Sequence, residues 1–527
     1  MKKYWITYFL LLLTATLYGQ SFDYGNDWYT ADPTRPFIKI LVDENGLYKV
    51  SKTDLVNAGH AVVNTVNATQ FRLYYRGKEV PLCVFPSNSS AQFDYFYFFG
   101  KMNNGSVDSL MYKKAADGSH DPNAIPNINF SLFTDTSAYF LTWVGGTGFP
   151  KRYLYDKPLT FTGTPESQFW YESTREYAPP PRKTGAGYIA GAGGNTSVNY
   201  VLNTDYTTGE GYSGTRFEPG LPLTVTIQTP YASSNQPTPP IVSARPFGRS
   251  ESSAHLLELK ANNTVLLDTT INSVYVKTFH KPYLGTMSST LSVQYSSLST
   301  GTDNNQVCAT SVSYWRDFNL NGDSSIVMKN WQKNGSAYFS FANAVAPTNT
   351  RAYAVSMNGE YLIEGLVDNN SKLKVIMPQL STPADIYVVT DLAVKAPIIK
   401  SSTSLVNLHT PIDGGAEFLI ITNRLLTASA TEYKKYRDTC TFNPVSSTKI
   451  VYLDEIIDEY GYGSITPWAI KRFCKDALDN WQNKPKYILF WGKGGYITRP
   501  SYSAVTQQLI PNTYNLLPTF GYPASDY

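Results

Sequence analysis

Phe418-Leu419-Ile420-Ile421-Thr422, Lys449-Ile450-Val451-Tyr452-Leu453 and Tyr487-Ile488-Leu489-Phe490-Trp491 are three short, nearly continuous apolar runs near the end of the chain. Runs of this length without polar alternation fit strands covered on both faces. Helical patterns separate them. Residues 428–438 place Tyr433 and Tyr436 three apart. Farther on, Ala469, Ile470, Phe473, Ala477, Leu478 and Trp481 recur at helical spacing. Thr466 caps that second helix, and Pro467 takes its first position, where a missing N–H costs nothing. Strand, helix, strand, helix, strand predicts a parallel sheet with helices over its faces.

Upstream the pattern is different. Phe37–Val42 and Leu47–Val50 alternate on either side of Asp43-Glu44-Asn45-Gly46, which predicts a hairpin, followed by a short helix capped by Thr53 with Leu55 and Val56 inward. A second hairpin is expected where Arg76-Gly77-Lys78-Glu79 joins Phe71–Tyr75 to Val80–Val84. Tyr95, Tyr97 and Phe99 share one strand face, which suits packing between sheets or a carbohydrate platform. Strand-like runs recur at 223–227, 254–259, 264–267, 353–355 and 373–377. The expected fold class is therefore multidomain: β-rich N-terminal domains with β-sandwich character, then a partial α/β parallel-sheet domain. The expected divisions are a β-rich domain over 20–155, a loop-rich connecting region over 156–219, a β-sandwich-like domain over 220–405 and the α/β domain over 406–527. Pro179-Pro180-Pro181 and Gly191-Ala192-Gly193-Gly194 suggest an exposed loop in the connecting region.

Composition excludes several classes. Of 527 residues only 16% are charged while 14% are aromatic, which argues against a disordered chain. A net charge of +3 gives no basic field, so nucleic acid is excluded as a partner class. Residues 1–19 read as a signal peptide, with Lys2 and Lys3 before the apolar run Phe9–Leu13, so the mature chain is expected to be exported and to carry no transmembrane helix. The four cysteines, at 83, 308, 440 and 474, are too sparse for a disulfide scaffold and fit no zinc spacing. Cys440 and Cys474 are left either as a pair or as two separate thiols.

Chemistry in a parallel sheet collects beyond the carboxyl ends of its strands. Here those ends are Thr422-Asn423, Asp454-Glu455 and Gly492-Lys493-Gly494-Gly495. Asp454, Glu455 and Asp458 line that edge either as a substrate or cation site or as solvated carboxylates. Of five histidines only His409 is near the α/β region, and neither Cys440 nor Cys474 has the context of an activated thiol beside it. No complete catalytic site is expected, and no cofactor is required. One loop offers metal chemistry. Asp317, Asn319, Asn321 and Asp323 present oxygens at alternate positions around Gly322, like the start of a calcium loop, although Met328 stands where the twelfth-position Glu belongs. The same residues also fit an Asn-Gly turn with Asx capping.

The order of these features resembles the gingipain-like cysteine peptidases, in particular the sortase of the Bacteroidota type IX secretion system. The resemblance is carried by Pro36-Phe37-Ile38-Lys39-Ile40, Asn45-Gly46-Leu47-Tyr48-Lys49-Val50, Gly209-Glu210-Gly211-Tyr212-Ser213-Gly214, the run 418–422, Thr466-Pro467-Trp468-Ala469-Ile470-Lys471-Arg472-Phe473 and the run 487–492. It implies a caspase-like α/β domain and a thiolate that attacks a scissile carbonyl. The resulting acyl-enzyme is resolved by water or an amine. It also implies exported cargo and type IX secretion components as partners, removal of C-terminal secretion domains from that cargo, attachment of the cargo to the cell surface, and an outer-membrane-associated or extracellular location. The family's His and Cys fall beyond the matched part, so no catalytic residue is assigned within this chain. Lys493 and Tyr527 depart from relatives, which often read Gly-Asp-Gly and Ser-Asp-Asp there. The alternative is a noncatalytic secretion, docking or adhesion module that retains a partial peptidase fold.

Overall fold

A computed structural model describes residues 22–519 apart from 31–33, 114–119, 122–123, 145–147, 159, 179–186, 190–205, 250–253, 402–404, 443, 496–498, 500, 503–508 and 511–514. The expected signal-peptide segment and the proline and glycine runs of the expected connecting region lie outside the described residues.

The first unit is two sheets around one core. A five-stranded antiparallel sheet runs in the order Ile398–Ile399, Ile38–Val42, Ser137–Thr142, Arg72–Tyr75, Lys78–Val80. A three-stranded sheet runs Gly46–Ser51, Tyr95–Gly100, Cys83–Phe85. The hairpin expected across residues 43–46 does not form. Its two arms enter different sheets, because each finds a longer apolar partner elsewhere: Ser137–Thr142 for the first and Tyr95–Gly100 for the second. The hairpin at Arg76-Gly77 does form, with φ of +48° and +74° at those residues. The short helix Lys52–Asn57 is capped by Ser51 rather than Thr53. Ser51 still has extended backbone, and its hydroxyl accepts from the Asp54 N–H at 3.0 Å while the Asp54 carboxylate accepts from the Ser51 N–H at 2.9 Å.

Two further β-units follow. One is a sandwich. Leu223–Gln228, Thr290–Ser297, Ala254–Ala261 and Thr264–Asn272 form one layer, and Gln168–Glu176, Asn305–Asp317 and Ile241–Gly248 form the other. The other is a seven-stranded sheet built mainly from residues 325–390, with its own core around Met328, Phe339, Ile363 and Val388. The expected divisions change accordingly. Gln168–Glu176, placed in a loop-rich connector, is a nine-residue strand paired along its length with Asn305–Asp317, because Phe169 and Tyr171 alternate into apolar cores. Residues 220–405 hold parts of three units, since Ile398–Ile399 returns to the first sheet. Leu154–Asp156, in turn, joins the seven-stranded sheet beside Tyr361–Val367.

The last unit is the α/β unit: β1 (Phe418–Thr422), α1 (Thr427–Thr439), β2 (Thr448–Tyr452), α2 (Leu453–Tyr460), α3 (Pro467–Asn480) and β3 (Tyr487–Trp491). The sheet is parallel in the order β2-β1-β3. Thr466 caps α3 as expected, accepting from the Trp468 N–H at 3.3 Å. Leu509–Ile510 pairs antiparallel with Ser501–Tyr502, a two-residue match too short to leave a sequence pattern. β1 is central, with Leu419, Ile420 and Ile421 at 0% exposure. β3 has a partner on one side only among the described residues, and its Tyr487 and Phe490 are 53% and 52% exposed.

Residues just after the expected signal peptide clasp this unit. The Asn26 side-chain amide donates to Glu459 at 3.1 Å and to Asp476 at 3.4 Å. The Leu408 N–H donates to Glu459 at 2.8 Å, and the Tyr460 hydroxyl to Asp476 at 2.6 Å. His409 Nδ1 lies 2.8 Å from Asp476, and Arg472 pairs with Asp23 at 2.6 Å. Both carboxylates are fully buried. Burial, with the charge of Asp476 adding to it, pushes the Glu459 carboxyl up to about 7.

Two outcomes follow from this packing. Folded Glu459 holds its proton more tightly than the unfolded chain does, so its contribution to stability is complete below the ordinary carboxyl range and is lost as pH rises toward about 7. Unfolding midpoints measured between pH 5 and pH 8 should fall by the equivalent of about 2–3 kcal/mol from this group. Glu459→Gln should flatten that slope whatever it does to stability at any single pH. An unchanged slope would remove Glu459 as its source. The second outcome concerns the sheet edge. Amides of β3 should exchange with deuterium faster than those of β1, because half of them face no partner strand among the described residues. Extending the chain beyond residue 527 should slow exchange in β3 selectively, and equal rates in both forms would mean the edge is already covered.

Candidate functional site

The carboxyl ends of β1, β2 and β3 lie side by side, locked by a hydrogen bond from the Thr422 hydroxyl to the Trp491 carbonyl at 2.7 Å. Asn423 turns the chain there. Its side-chain oxygen accepts from the Leu425 N–H at 3.0 Å, and its amide donates to the Leu516 carbonyl at 3.3 Å. Arg424 follows, lying 4.2 Å above the Tyr452 ring and pairing with Asp454 at 2.7 Å and Glu455 at 2.8 Å. Glu455 also accepts from the Tyr452 N–H at 3.1 Å, closing the start of α2. Asp458 pairs with Lys39 of the first unit, and burial raises its carboxyl above the usual range.

The three carboxylates expected at this edge are therefore engaged. Two hold the β1 and β2 ends together through Arg424, and the third ties α2 to the first sheet. Sequence reading found the carboxylates but missed Arg424 and Lys39. Arg424 directly follows a predicted strand end, which was the available signal. Lys39 is 419 residues from its partner and gave none.

The third strand end is glycine-rich for a steric reason. Gly494–Gly495 runs parallel to Leu517–Pro518, and a Cβ at Gly494 would sit 2.5 Å from the Thr519 side chain. The Lys493 carbonyl accepts from the Leu516 N–H at 2.9 Å. Beyond this, Arg499 is buried, donating to the Ser131 carbonyl at 3.0 Å and pairing with Asp135 at 2.8 Å. The chain after β3 is thus fastened across the strand ends and onto the first unit.

No thiol–imidazole pair forms among the described residues. His409 is bonded to Asp476. Burial on α3 pushes the Cys474 thiol up to about 12. Cys440 follows α1 as a half-buried thiol, held below the usual thiol range by the Tyr436 hydroxyl. All four cysteines are free. In the oxygen-rich loop, Asn321 and Gly322 take φ of +58° and +84°. The Asn319 side-chain oxygen accepts from the Asn321 N–H at 2.8 Å and from Asn343 Nδ2 at 3.1 Å, so a cation there would compete with two donors. The Asp317 N–H donates to the Tyr231 carbonyl, and the Asp323 N–H to that of Leu320. Among the described residues no group of three or more His, Cys, Asp or Glu side chains is placed to hold a metal. Nor is any described helix long and apolar enough to cross a membrane.

Comparison with known proteins agrees with this α/β reading. The sequence profile of Peptidase family C25 matches residues 412–527. The crystal structure of dimeric latent PorU from Porphyromonas gingivalis superposes with a TM-score of 0.51 at 14% identity, covering 88% of this chain and 42% of that one. The chain therefore spans less than half of PorU's length. A cycloisomaltooligosaccharide glucanotransferase from a Paenibacillus species (8% identity, 41% of this chain and 45% of that one) has a TM-score of 0.15. A β-glucuronidase from Ruminococcus gnavus (7% identity, 61% and 65%) has the same score, and neither implies a shared fold. Among curated proteins no relative matches the sequence. Residues 412–527 thus match the profile of Peptidase family C25, and they follow β-units that, with them, share the fold of PorU.

Proposed function

We propose that this chain is the amino-terminal portion of a gingipain-like sortase, a cysteine peptidase that removes C-terminal secretion domains from type IX cargo and attaches the cargo to the cell surface. The supporting observation is a family C25 segment set behind β-units with the PorU fold over 88% of the chain. In this reading a thiolate attacks the scissile carbonyl, backbone N–H groups stabilise the oxyanion, and water or an amine releases the acyl group. The segment in hand supplies the central strands of the sheet, and the loops bearing thiol and imidazole belong to later strands. Exported cargo and type IX secretion components are the partners, at the outer surface of the cell. A second reading, a noncatalytic docking module, draws on the engaged His409 and the raised Cys474 thiol.

One comparison separates the two. Residues 20–527 and the product of the complete open reading frame are each incubated with a cargo fragment bearing its C-terminal secretion domain, and with a thiol-directed peptidase probe. The shorter protein should neither cleave nor take the label. The longer one should do both, and should lose both when its labelled cysteine becomes alanine. A stop codon directly after residue 527, or an inert longer product, supports the docking module. Specific labelling of Cys440 or Cys474, abolished by His409→Ala, would place the chemistry in this chain and overturn both readings.

A further inference from the structure

The β-rich units meet around a groove lined by no residue of 412–527. It consists of two adjoining hollows of about 540 Å³ and about 900 Å³, within the usual range for ligand sites. They share Tyr75, Arg76, Phe99, Lys101 and Met357. Three of these form an apolar waist. Arg76 is fixed beside it, 5.2 Å from the Tyr75 ring and hydrogen-bonded to the neutral side chains of Asn103, Asn104 and Ser106.

The charges on either side differ in sign. The smaller hollow carries Lys78 and Lys151 beyond the shared Lys101, all three exposed and none in an ion pair among the described residues, and its Glu79 is paired with Arg72. The larger hollow carries Glu172 and Asp323, also exposed and also without an ion-pair partner there. Of its cations, Lys329 is neutralised by Asp385 at 2.8 Å, while Arg76 and Lys101 lie at the shared waist. The groove is thus basic at one end and acidic at the other, and Tyr75, Phe99 and Met357 give the waist between them an apolar surface beside Arg76 and Lys101.

We propose that this groove binds an extended polypeptide segment with acidic side chains toward one end, a short uncharged stretch in the middle and basic side chains toward the other. A polymer of one charge sign, such as an anionic glycan or a nucleic acid, is attracted by the lysines and repelled by Glu172 and Asp323. Polypeptide carries both signs along one chain and can satisfy both ends. The uncharged stretch crosses the waist at Tyr75, Phe99 and Met357. The proposal does not rest on the peptidase reading, because the groove lies wholly in the β-units.

The test uses the protein of residues 20–527 and fluorescence anisotropy with labelled synthetic peptides. One probe has a glutamate block, a Ser-Leu-Ser spacer and a lysine block. A second reverses the blocks, a third is all glutamate, and unlabelled dextran sulfate serves as competitor. One block order should bind more tightly than the other and than the all-glutamate peptide, and its affinity should fall with added salt. Lys101→Glu and Asp323→Lys should each weaken it about two- to fivefold, the scale of a solvated ion pair. Both side chains are exposed, so an unchanged unfolding temperature verifies the fold of each variant. Three results would overturn the proposal: equal or tighter binding of the all-glutamate peptide, displacement by dextran sulfate at lower charge concentration than by the mixed peptide, or variants that leave affinity unchanged. Absence of binding by every probe would overturn it as well. Failure of the longer protein to cleave cargo would leave these outcomes as they are.

Discussion

The strand Tyr95–Gly100 cannot be left half in water, and the arrangement of the β-units depends on that constraint. Its five consecutive aromatic residues alternate between two apolar environments. Phe96 and Phe98 point into the core of the first unit, while Tyr97 and Phe99 point into a second core with Tyr353 and Tyr387 of the seven-stranded sheet. Burying an aromatic side chain contributes about 1.5–3 kcal/mol, so exposing either face would cost several such contributions. Most half-buried strands alternate apolar with polar residues and so choose one face. This one has no polar face, and two sheets must therefore close on it. The Tyr97 and Tyr353 hydroxyls meet at 3.1 Å, which satisfies the polar tips that such packing would otherwise strand.

A different logic attaches the α/β unit. Its contact with the start of the chain is a polar network, in which Glu459 and Asp476 share the Asn26 amide and meet His409 and Tyr460. Two buried carboxylates are poor stabilisers, since each must recover its lost hydration from a few fixed donors. What such a network does well is fix geometry. An apolar patch tolerates sliding, whereas these donors and acceptors match in one arrangement. Arg472 adds a second constraint, pairing with Asp23 and donating to the Tyr460 carbonyl at 3.2 Å. Residues 23–26 are therefore part of the α/β unit's surface although they are more than 380 residues from it in sequence.

Legibility in the sequence follows the range of the forces. The three parallel strands and the α3 cap were readable because apolar runs, Thr466 and Pro467 are local signals. The residue 43–46 hairpin was misread because alternation shows that two segments are strands but not which partners they choose. Ser51 was overlooked as a cap because it also ends a strand. Gln168–Glu176 was lost because its alternating Phe169 and Tyr171 sit among polar residues close to a proline-rich stretch. At the candidate site the reading found every strand-end carboxylate and the glycines. It could not show that Arg424 and Lys39 neutralise the former, or that Leu517–Pro518 packs against the latter. Those are tertiary facts, with sequence separations from about 20 to more than 400 residues.

The order β2-β1-β3 also bears on where chemistry can sit. In a parallel sheet each strand adds one loop to the carboxyl edge, and reacting groups come from several such loops. Here the β1 and β2 loops are spent on holding each other through Arg424, Asp454 and Glu455. The β3 loop, with its run of glycines, gives backbone that can approach another chain segment closely but offers Lys493 as its main ionisable side chain. Such an edge can orient and support. Among the described residues no thiol and imidazole meet there in the pairing that acyl transfer by a cysteine requires. On the proposed reading further strands extend the sheet from the side of β3 that has no partner among the described residues, and their loops rise beside Gly492–Gly495. On the proposed reading the segment in hand is the supporting half of a site, positioned against the β-units by Arg499 and the Asn26 network before the reacting half is added.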